Sequence, residues 1–405
     1  MTILENIKKN IEKVSPYLEM TESEKNKLLN HKQIKKAELE LNGKSYDAWR
    51  IIHNNALGPG KGGIRFHPNV SEDEVKSLSF WMSLKTSLVK LPYGGAKGGV
   101  KINPKELNEK EIQEISRKYI RKFSDYLGQD KDIPAPDVYT NSQIMGWMLD
   151  EFEKIKGRHE PGMITGKPLI LGGCELRGDA TSKGGKIILQ EFLKRKNKKP
   201  NEIEIVVQGF GNAGRYLTEM LYDLGHKIIA VSDSKGGIYN KDGLNIKKLI
   251  IHKNNSKSVV DFENSENISN KEILELKTNV LILAALENQI TKENADNIKA
   301  ETILELANGP ITFDADEILD KKGVEVIPDI LANSGGVIVS YFEWSQNKTG
   351  NILDKDYLEN LLNQKLKKAF NEMYENYLKD KNLNMRLNAY KISIKRILEA
   401  ERARS

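Results

Sequence analysis

Apolar residues recur at helical spacing where the chain begins. Ile3, Ile7, Ile11, Val14 and Leu18 fall three or four apart, which predicts an amphipathic helix over residues 3–18. Two β-like runs follow in "IKKAELELNGKSYDAWRIIHN", 34–54, and the Asn42-Gly43 between them is a strong hairpin signal. Ser71 and Glu74 have the spacing of a capping box ahead of Val75, Leu78, Trp81, Leu84 and Leu88, so a helix is expected there. Asn108 is placed to cap another helix over 109–127, and a further one is expected at about 141–155. Between them "DIPAPDVYT", 132–140, cannot be helical, because Pro134 and Pro136 punctuate it.

The pattern changes near residue 172. A helix is expected at about 182–194. Then "EIEIVVQGFGNAGRYLTEMLYDLGHKIIAVSDSKGG", 202–237, alternates an apolar strand, a glycine turn, a helix and a second apolar strand. "NVLILAAL", "ETILELA" and "VEVIPD" (279–286, 301–307 and 324–329) read as further buried strands separated by helices, and the tail from Asp354 is polar and helical by period. The fold class is therefore α/β in two domains: an N-terminal α/β domain with a mixed sheet over 1–172, and a Rossmann-like doubly wound domain over 173–354. The C-terminal helices, about 355–405, are expected to return to the first domain.

Composition narrows the classes. Hydrophobic residues make up 39% and charged residues 30%, the balance of a globular chain with a charge-rich surface. No apolar run approaches the ~20 residues that span a bilayer, and "MTILENIKKNIEKV" lacks an apolar secretory core. A cytoplasmic protein with no membrane partner is expected. Cys174 is the only cysteine and the six histidines form no H-x-x-x-H pair, so neither an intrachain disulfide nor a metal site is expected. The net charge is +6, but basic and acidic residues interleave. The one basic run, "KRKNKK" at 194–199, reads as a solvated loop and not as a nucleic-acid surface.

Two glycine-rich stretches carry candidate chemistry. "GFGNAG", 209–214, fits G-x-G-x-x-G and sits after an apolar strand and before a helix, where a dinucleotide-binding turn belongs. Gly209 permits the turn, Gly211 lets backbone approach a pyrophosphate, and Gly214 lets helix and strand pack closely. Asp233 ends the next strand, placed to accept hydrogen bonds from adenosine-ribose hydroxyls and so to favour NAD. Ser234 can donate to either cofactor, and Lys235 can pair with a 2′-phosphate, so NAD or NADP stays open. The other stretch, "KLPYGGAKGGVKINP", 90–104, sets Lys97 between two Gly-Gly pairs. It reads either as a loop with positive-φ glycines folded around a small molecule, with Lys97 aimed inward, or as a tight turn carrying a solvated lysine.

Read together, "GPGKGGIRFHP" (58–68), "FWMSLKTSL", "GGAKGG", "PAPDV", "GMITGKP", "QGFGNAG", "SDSKGGIYN", "ALENQI", "ANGP" and "LANSGGVIVSYFEW" resemble glutamate dehydrogenase in content and order, from about residue 15 to the C-terminus. The resemblance implies that Lys61 contacts the side-chain carboxylate of the substrate and Lys85 the α-carboxylate. It makes Lys97 catalytic and gives Asp137 proton transfer. Ser340 helps bind the distal carboxylate, and Gly62, Ala135 and Val337 complete the substrate set. Thr181, Gly209, Phe210, Gly211, Asn212, Ala213, Gly214, Asp233, Ser234, Asn308 and Asn333 are implied to hold NAD or NADP, Asn308 and Asn333 near the nicotinamide ribose and carboxamide. A homohexamer is implied, with closure of a cleft between the domains.

The chemistry is consistent on its own terms. A five-carbon diacid asks for two fixed cations, and a third lysine crowded beside them would have its pKa lowered by burial and like-charge repulsion. Leucine, valine and phenylalanine dehydrogenases of the same superfamily carry an apolar residue where Lys61 stands, so glutamate is the expected substrate. Cys174, Leu176, Ser182, Leu283 and Leu306 depart from the usual family pattern around the nucleotide domain. These departures keep a catalytically weak regulatory paralogue as an alternative, beside a dehydrogenase of an apolar amino acid.

Overall fold

The N-terminal apolar stripe forms α1 (Ile3–Val14), followed by a 3-10 turn over Ser15–Leu18, and buries Ile7, Ile11 and Val14. The computed structural model describes residues 3–404; the side chain of Ile3 and residues 1, 2 and 405 lie outside that description. α2 (Glu22–Leu29) starts at a capping box between Thr21 and Glu24. β1 (Gln33–Leu41) and β2 (Lys44–Asn54) pair antiparallel across Asn42-Gly43. Both turn residues have positive φ, 51° and 74°, the geometry whose twist matches that of the flanking strands. Then come β3 (Gly60–Phe66), α3 (Glu72–Leu88), β4 (Gly95–Val100), α4 (Glu109–Phe123), β5 (Asp132–Pro136) and α5 (Ser142–Lys156).

These strands make a mixed five-stranded sheet in the order β1-β2-β4-β3-β5, with β3 parallel to both β4 and β5. β5 tolerates its two prolines because it is an edge strand, where a missing N–H leaves no ladder bond unmade on the outer side. Leu39, Ile64, Phe66, Ile115, Tyr119 and Phe152 form the heart of the core under this sheet. The expected capping box at α3 is only half made: Ser71 Oγ accepts from Glu74 N at 3.2 Å, but the Glu74 carboxylate is drawn to Arg65 instead.

The glycine stretch 90–104 departs from both sequence readings. Its glycine core is neither a ligand loop nor a turn: β4, Gly95–Val100, is an inner strand, fully buried, and Gly94, Gly95, Gly98 and Gly99 are absent from the positive-φ positions, the one such residue of the stretch being Lys90 in the turn before it. Its glycines serve close packing. A Cβ on Gly95 would lie 2.2 Å from Ser83 N in α3, and one on Gly98 would lie 2.3 Å from the Tyr119 hydroxyl.

The second half opens with α6 (Ala180–Arg195), β6 (Glu204–Gln208), α7 (Asn212–Asp223), β7 (Lys227–Asp233), β8 (Gly236–Tyr239), α8 (Ile246–Ser256) and β9 (Glu266–Ile268). β10 (Thr278–Leu283), β11 (Ala300–Glu305), α9 (Phe313–Lys321), β12 (Glu325–Ile327) and α10 (Asp329–Ala332) follow. The sheet order is β12-β11-β10-β6-β7-β8-β9. Five strands are parallel, while β8 and β9 add antiparallel at one edge. The order reverses beside β6, the switch point where doubly wound sheets bind ligands. No α-helix joins β10 to β11; only a 3-10 turn at Ala295–Asn297 lies between them. The chain ends in α11 (Gly335–Thr349), α12 (Lys355–Lys379) and α13 (Met385–Arg402).

Two compact units result. One holds the chain up to Gly178, Val337–Leu361 and the residues from Tyr390 on; the other holds Asp179–Gly336 and Leu362–Ala389. The break thus falls at 178/179 instead of 172/173. Most of α11 joins the first unit, and the C-terminal helices are shared between the two instead of returning whole to the first.

Candidate functional site

In the first unit β3 and β4 lie side by side and deliver Lys61 and Lys97. Alternation along β3 puts Lys61, Gly63 and Arg65 on one face. Gly63 leaves room there for the segment after β5, since a Cβ on it would lie 2.8 Å from Asp137 Cβ. Asp137 is fixed by a short turn: its N–H donates to Thr140 Oγ1 at 2.8 Å, and that hydroxyl donates to Ile64 O at 2.8 Å. Lys97 Nζ donates to Asp137 Oδ1 at 2.9 Å, and Arg65 Nε donates to Asp137 Oδ2 at 2.7 Å. The expected catalytic pair is therefore in direct contact.

Its electrostatics differ in cause from the sequence expectation. Burial pushes the Lys97 ammonium below its ordinary range; Asp137 opposes this and the Arg65 guanidinium adds to it. The crowding cation is Arg65, not Lys61 or Lys85. Asp137 is held well below the usual carboxylate range: burial works against ionisation, but Lys97 and Arg65 outweigh it.

Lys61 is 1% exposed, and among the described residues its Nζ makes one hydrogen bond, to the Pro134 carbonyl at 3.4 Å. Burial, and then the guanidiniums of Arg177 and Arg50, push its ammonium well below the ordinary lysine value. Glu343 and Asp132 act on it only at a distance, and a buried amine with no salt-bridge partner among the described residues is poised for an incoming anion. Arg50 is itself spent on a buried pair, with Nε 2.7 Å from Asp132 Oδ2 and Nη1 3.0 Å from Gly62 O. Gly62 has no room for a side chain, because a Cβ would meet Ala96 O at 1.6 Å. Lys85, in the last turn of α3, is buried, as are Ala135 on β5 and Val337 and Ser340 on α11.

Sequence reading missed three members of this environment. Arg65 lies four residues beyond Lys61 on the same strand face, a spacing that could have marked it. Glu343, three residues beyond Ser340 on α11, is fully buried and accepts from Gly166 N at 2.9 Å and Lys167 Nζ at 2.8 Å. Arg177 follows the departures Cys174 and Leu176. It interacts electrostatically with Lys61, Glu343 and Asp137, and its Nε has no hydrogen-bond partner among the described residues.

The second unit carries a cavity of about 930 Å³ at the switch point, lined by Gly209, Phe210, Gly211, Asn212, Asp233 and Ser234 among others. Its cradle fits a dinucleotide pyrophosphate. Gly209 has φ 101° and sits against Ala284, where a Cβ would lie 2.6 Å from carbonyl carbon. A Cβ on Gly214 would lie 1.9 Å from Gly209 O, which is the close helix–strand approach expected of it, while Gly211 faces open space. The first turn of α7 has no side-chain cap, so its N–H groups remain available to an anion. Gln208 Oε1 and Ser232 Oγ, also on the cavity wall, are buried with no hydrogen-bond partner among the described residues.

Asp233 behaves differently from expectation. Its oxygens already accept from Lys235 N at 2.8 Å and Val259 N at 2.9 Å and pair with Lys253. These bonds hold its carboxyl below the ordinary range against the effect of burial. Lys253, Lys257 and Arg215 share its cavity. Thr181, Ala213, Gly214, Asn308 and Asn333 do not line that cavity. Thr181 lies in the first turn of α6, and Asn333 Nδ2 donates to Asn308 Oδ1 at 2.9 Å beyond β11. The departure Ser182 is absorbed structurally, its hydroxyl donating to Ala213 O at 2.8 Å.

Over most of its length the chain is similar to known proteins. Residues 172–405 match the family described as Glutamate/Leucine/Phenylalanine/Valine dehydrogenase, and residues 31–154 match its dimerisation domain. The chain is 47% identical over 362 residues to the NAD-specific glutamate dehydrogenase of Staphylococcus aureus (strain COL), covering 89% of this chain and 87% of the relative. It is 46% identical over 361 residues to the catabolic NAD-specific glutamate dehydrogenase of Bacillus subtilis (strain 168), covering 89% and 85%. Among solved structures, glutamate dehydrogenase from Peptoniphilus asaccharolyticus superposes with a TM-score of 0.86 at 36% identity over 100% of both chains. The hetero-hexameric glutamate dehydrogenase of Thermus thermophilus, in its Leu-bound form, gives 0.93 at 28% identity, covering 100% of this chain and 97% of that one. With both units matched and the paired lysine and aspartate in place, this chain belongs to the Glu/Leu/Phe/Val dehydrogenase family.

Proposed function

We propose that this protein catalyses the NAD-dependent oxidative deamination of L-glutamate to 2-oxoglutarate and ammonium, and the reverse reductive amination. The observation that carries the choice of glutamate is Lys61, a buried amine whose Nζ forms no salt bridge among the described residues and on which Arg177 and Arg50 act more strongly than Glu343 and Asp132. An apolar amino acid would leave it unpaired, whereas a distal carboxylate satisfies it and favours its charged form. Ser340 supports that carboxylate, Lys85 takes the α-carboxylate, and Gly62, Ala135 and Val337 shape the walls. Arg177 adds positive charge.

Bound NAD supplies the hydride acceptor. Gly209 to Gly214, with Phe210, Asn212 and Ala213, hold its pyrophosphate; Asp233 and Ser234 flank its adenosine ribose. Thr181, Asn308 and Asn333 serve the nicotinamide half. Asp137 takes a proton from the substrate α-ammonium so that hydride can leave Cα. Lys97 in its neutral form then removes a proton from the water that attacks the resulting iminium carbon, and returns it as ammonium departs. The contact between Lys97 and Asp137 lets a proton pass between them and out to solvent.

We further infer a homo-oligomer, with a hexamer as the expected form, working in the cytoplasm. Among the described residues no helix is long and apolar enough to cross a membrane. The test is NADH absorbance with L-glutamate, L-leucine and L-norvaline. Turnover with glutamate alone is expected; faster turnover with leucine would overturn the assignment, and no turnover with any of the three would favour a regulatory role.

A further inference from the structure

The turn that carries Asn308 is held from behind by a buried charge cluster that the proposed chemistry does not use. Arg386, in the first turn of α13, faces carboxylates from three other elements: Glu305 at the end of β11, Asp316 in α9 and Asp329 at the start of α10. Its Nη1 and Nη2 donate to Glu305 Oε2 and Oε1 at 2.8 and 2.7 Å. Its Nε lies 3.1 Å from Asp316 Oδ2, and Nη1 lies 3.7 Å from Asp329 Oδ1. All four side chains are at most 6% exposed.

The cluster ends on backbone. Glu305 Oε2 accepts from Asp329 N at 2.9 Å, and Asp329 Oδ2 accepts from Gly309 N at 2.8 Å. Next to Gly309, Asn308 is fastened by Asn333. A buried ion cluster is an expensive way to fill space, and apolar side chains of equal volume would usually serve stability as well. Here the bonds lead from the last helix to one particular turn.

We propose that Arg386 is a positioning residue for the Asn308–Gly309 turn, acting through Glu305 and Asp329 to set affinity for the nicotinamide half of NAD. This rests on the proposed placement of Asn308 in the cofactor site. Lysine at 386 would keep the charge but could not bridge Glu305 with two parallel bonds while reaching both aspartates.

The test is steady-state kinetics of reductive amination with Arg386→Lys and Asn308→Ala. Arg386→Lys is expected to raise KM for NADH about tenfold. Its kcat at saturating NADH and its KM for 2-oxoglutarate should stay within about twofold of wild type. Structural damage alone would lower the active fraction, and so kcat, without moving KM. A folded Arg386→Lys enzyme with unchanged KM for NADH, beside an Asn308→Ala enzyme with raised KM, would overturn the role of Arg386 alone. Normal NADH binding by Asn308→Ala would remove the turn from the cofactor site, and the proposal with it. Should Arg386→Lys fail to fold, Asp329→Ala carries the same readout, because it cuts the link to Gly309 while relieving negative charge in the cluster.

Discussion

Lys97 and Asp137 combine opposite requirements in one 2.9 Å contact. Asp137 is kept ionised by two cations, while Lys97 is pushed towards its neutral form by burial and Arg65. Replacing Lys97 by alanine removes the base together with a buried side chain, so kcat of the folded variant is expected to fall by roughly 10²- to 10⁴-fold, with the unfolding temperature measured alongside. Lys97→Arg should be as inactive, since a guanidinium keeps its proton throughout the working range. For the wild type, the neutral form of Lys97 grows as pH rises, and its lowered pKa brings that rise below the ordinary lysine value of 10.5. A pH profile of oxidative kcat should therefore climb through the alkaline side of neutrality; a flat profile would exclude Lys97 as the base.

Asp233 sets a second expectation at this scale. Because Lys253 partly neutralises it, the ribose corner excludes a 2′-phosphate less firmly than an unpaired aspartate would. Lys253→Ala should free the carboxylate and lower kcat/KM for NADP relative to NAD, read from paired assays with the two cofactors. The carboxylate is 6% exposed and Lys253 23%, so the change in the ratio should be several-fold and should shrink with added salt.

At the scale of elements, the glycines were legible as landmarks but not as geometry. The sequence motif around Lys97 suggested backbone freedom, whereas β4 needs its glycines because α3, Tyr119 and Val70 press against it. The motif at 209–214 forms the turn and the close helix–strand approach expected of it, because one short stretch of strand, turn and helix decides both. Gly62→Ala is expected to abolish activity and lower the unfolding temperature sharply: its Cβ would sit 1.6 Å from Ala96 O, and neither paired strand can retreat. At the start of α4, Asn108 and Glu111 cap each other's backbone N–H groups. Asn108→Ala should cost about 1 kcal/mol in chemical denaturation with catalysis intact.

At the scale of the whole molecule, Lys61 in its proposed role would link diacid binding to protons. Its folded-state pKa lies well below the unfolded value of 10.5. Its contribution to stability is thus present above the unfolded value and is lost as pH falls towards the folded one. A bound dicarboxylate reverses this, because it favours the charged amine. The rise in unfolding temperature produced by saturating 2-oxoglutarate should therefore grow as pH is lowered from about 9 to 7. The same ligand on a Lys61→Met protein should show no such trend, and a wild-type rise that shrank on acidification would contradict the linkage.

Local pattern determined most of the helices, the Asn42-Gly43 hairpin and the glycine turn at 209–214, because helix period and turn chemistry act over a few neighbouring residues; Lys61, Lys97 and Asp137 were marked by the order of several short motifs along the chain. Tertiary structure decided what those residues feel. Arg65, Arg177 and Glu343 reach the lysines from β3, from the turn before α6 and from α11, and Asp233 finds Lys253 from α8. It also decided that Val337–Leu361 belongs with the first unit. Charge and burial depend on distance in space, and spacing along the chain does not carry that distance.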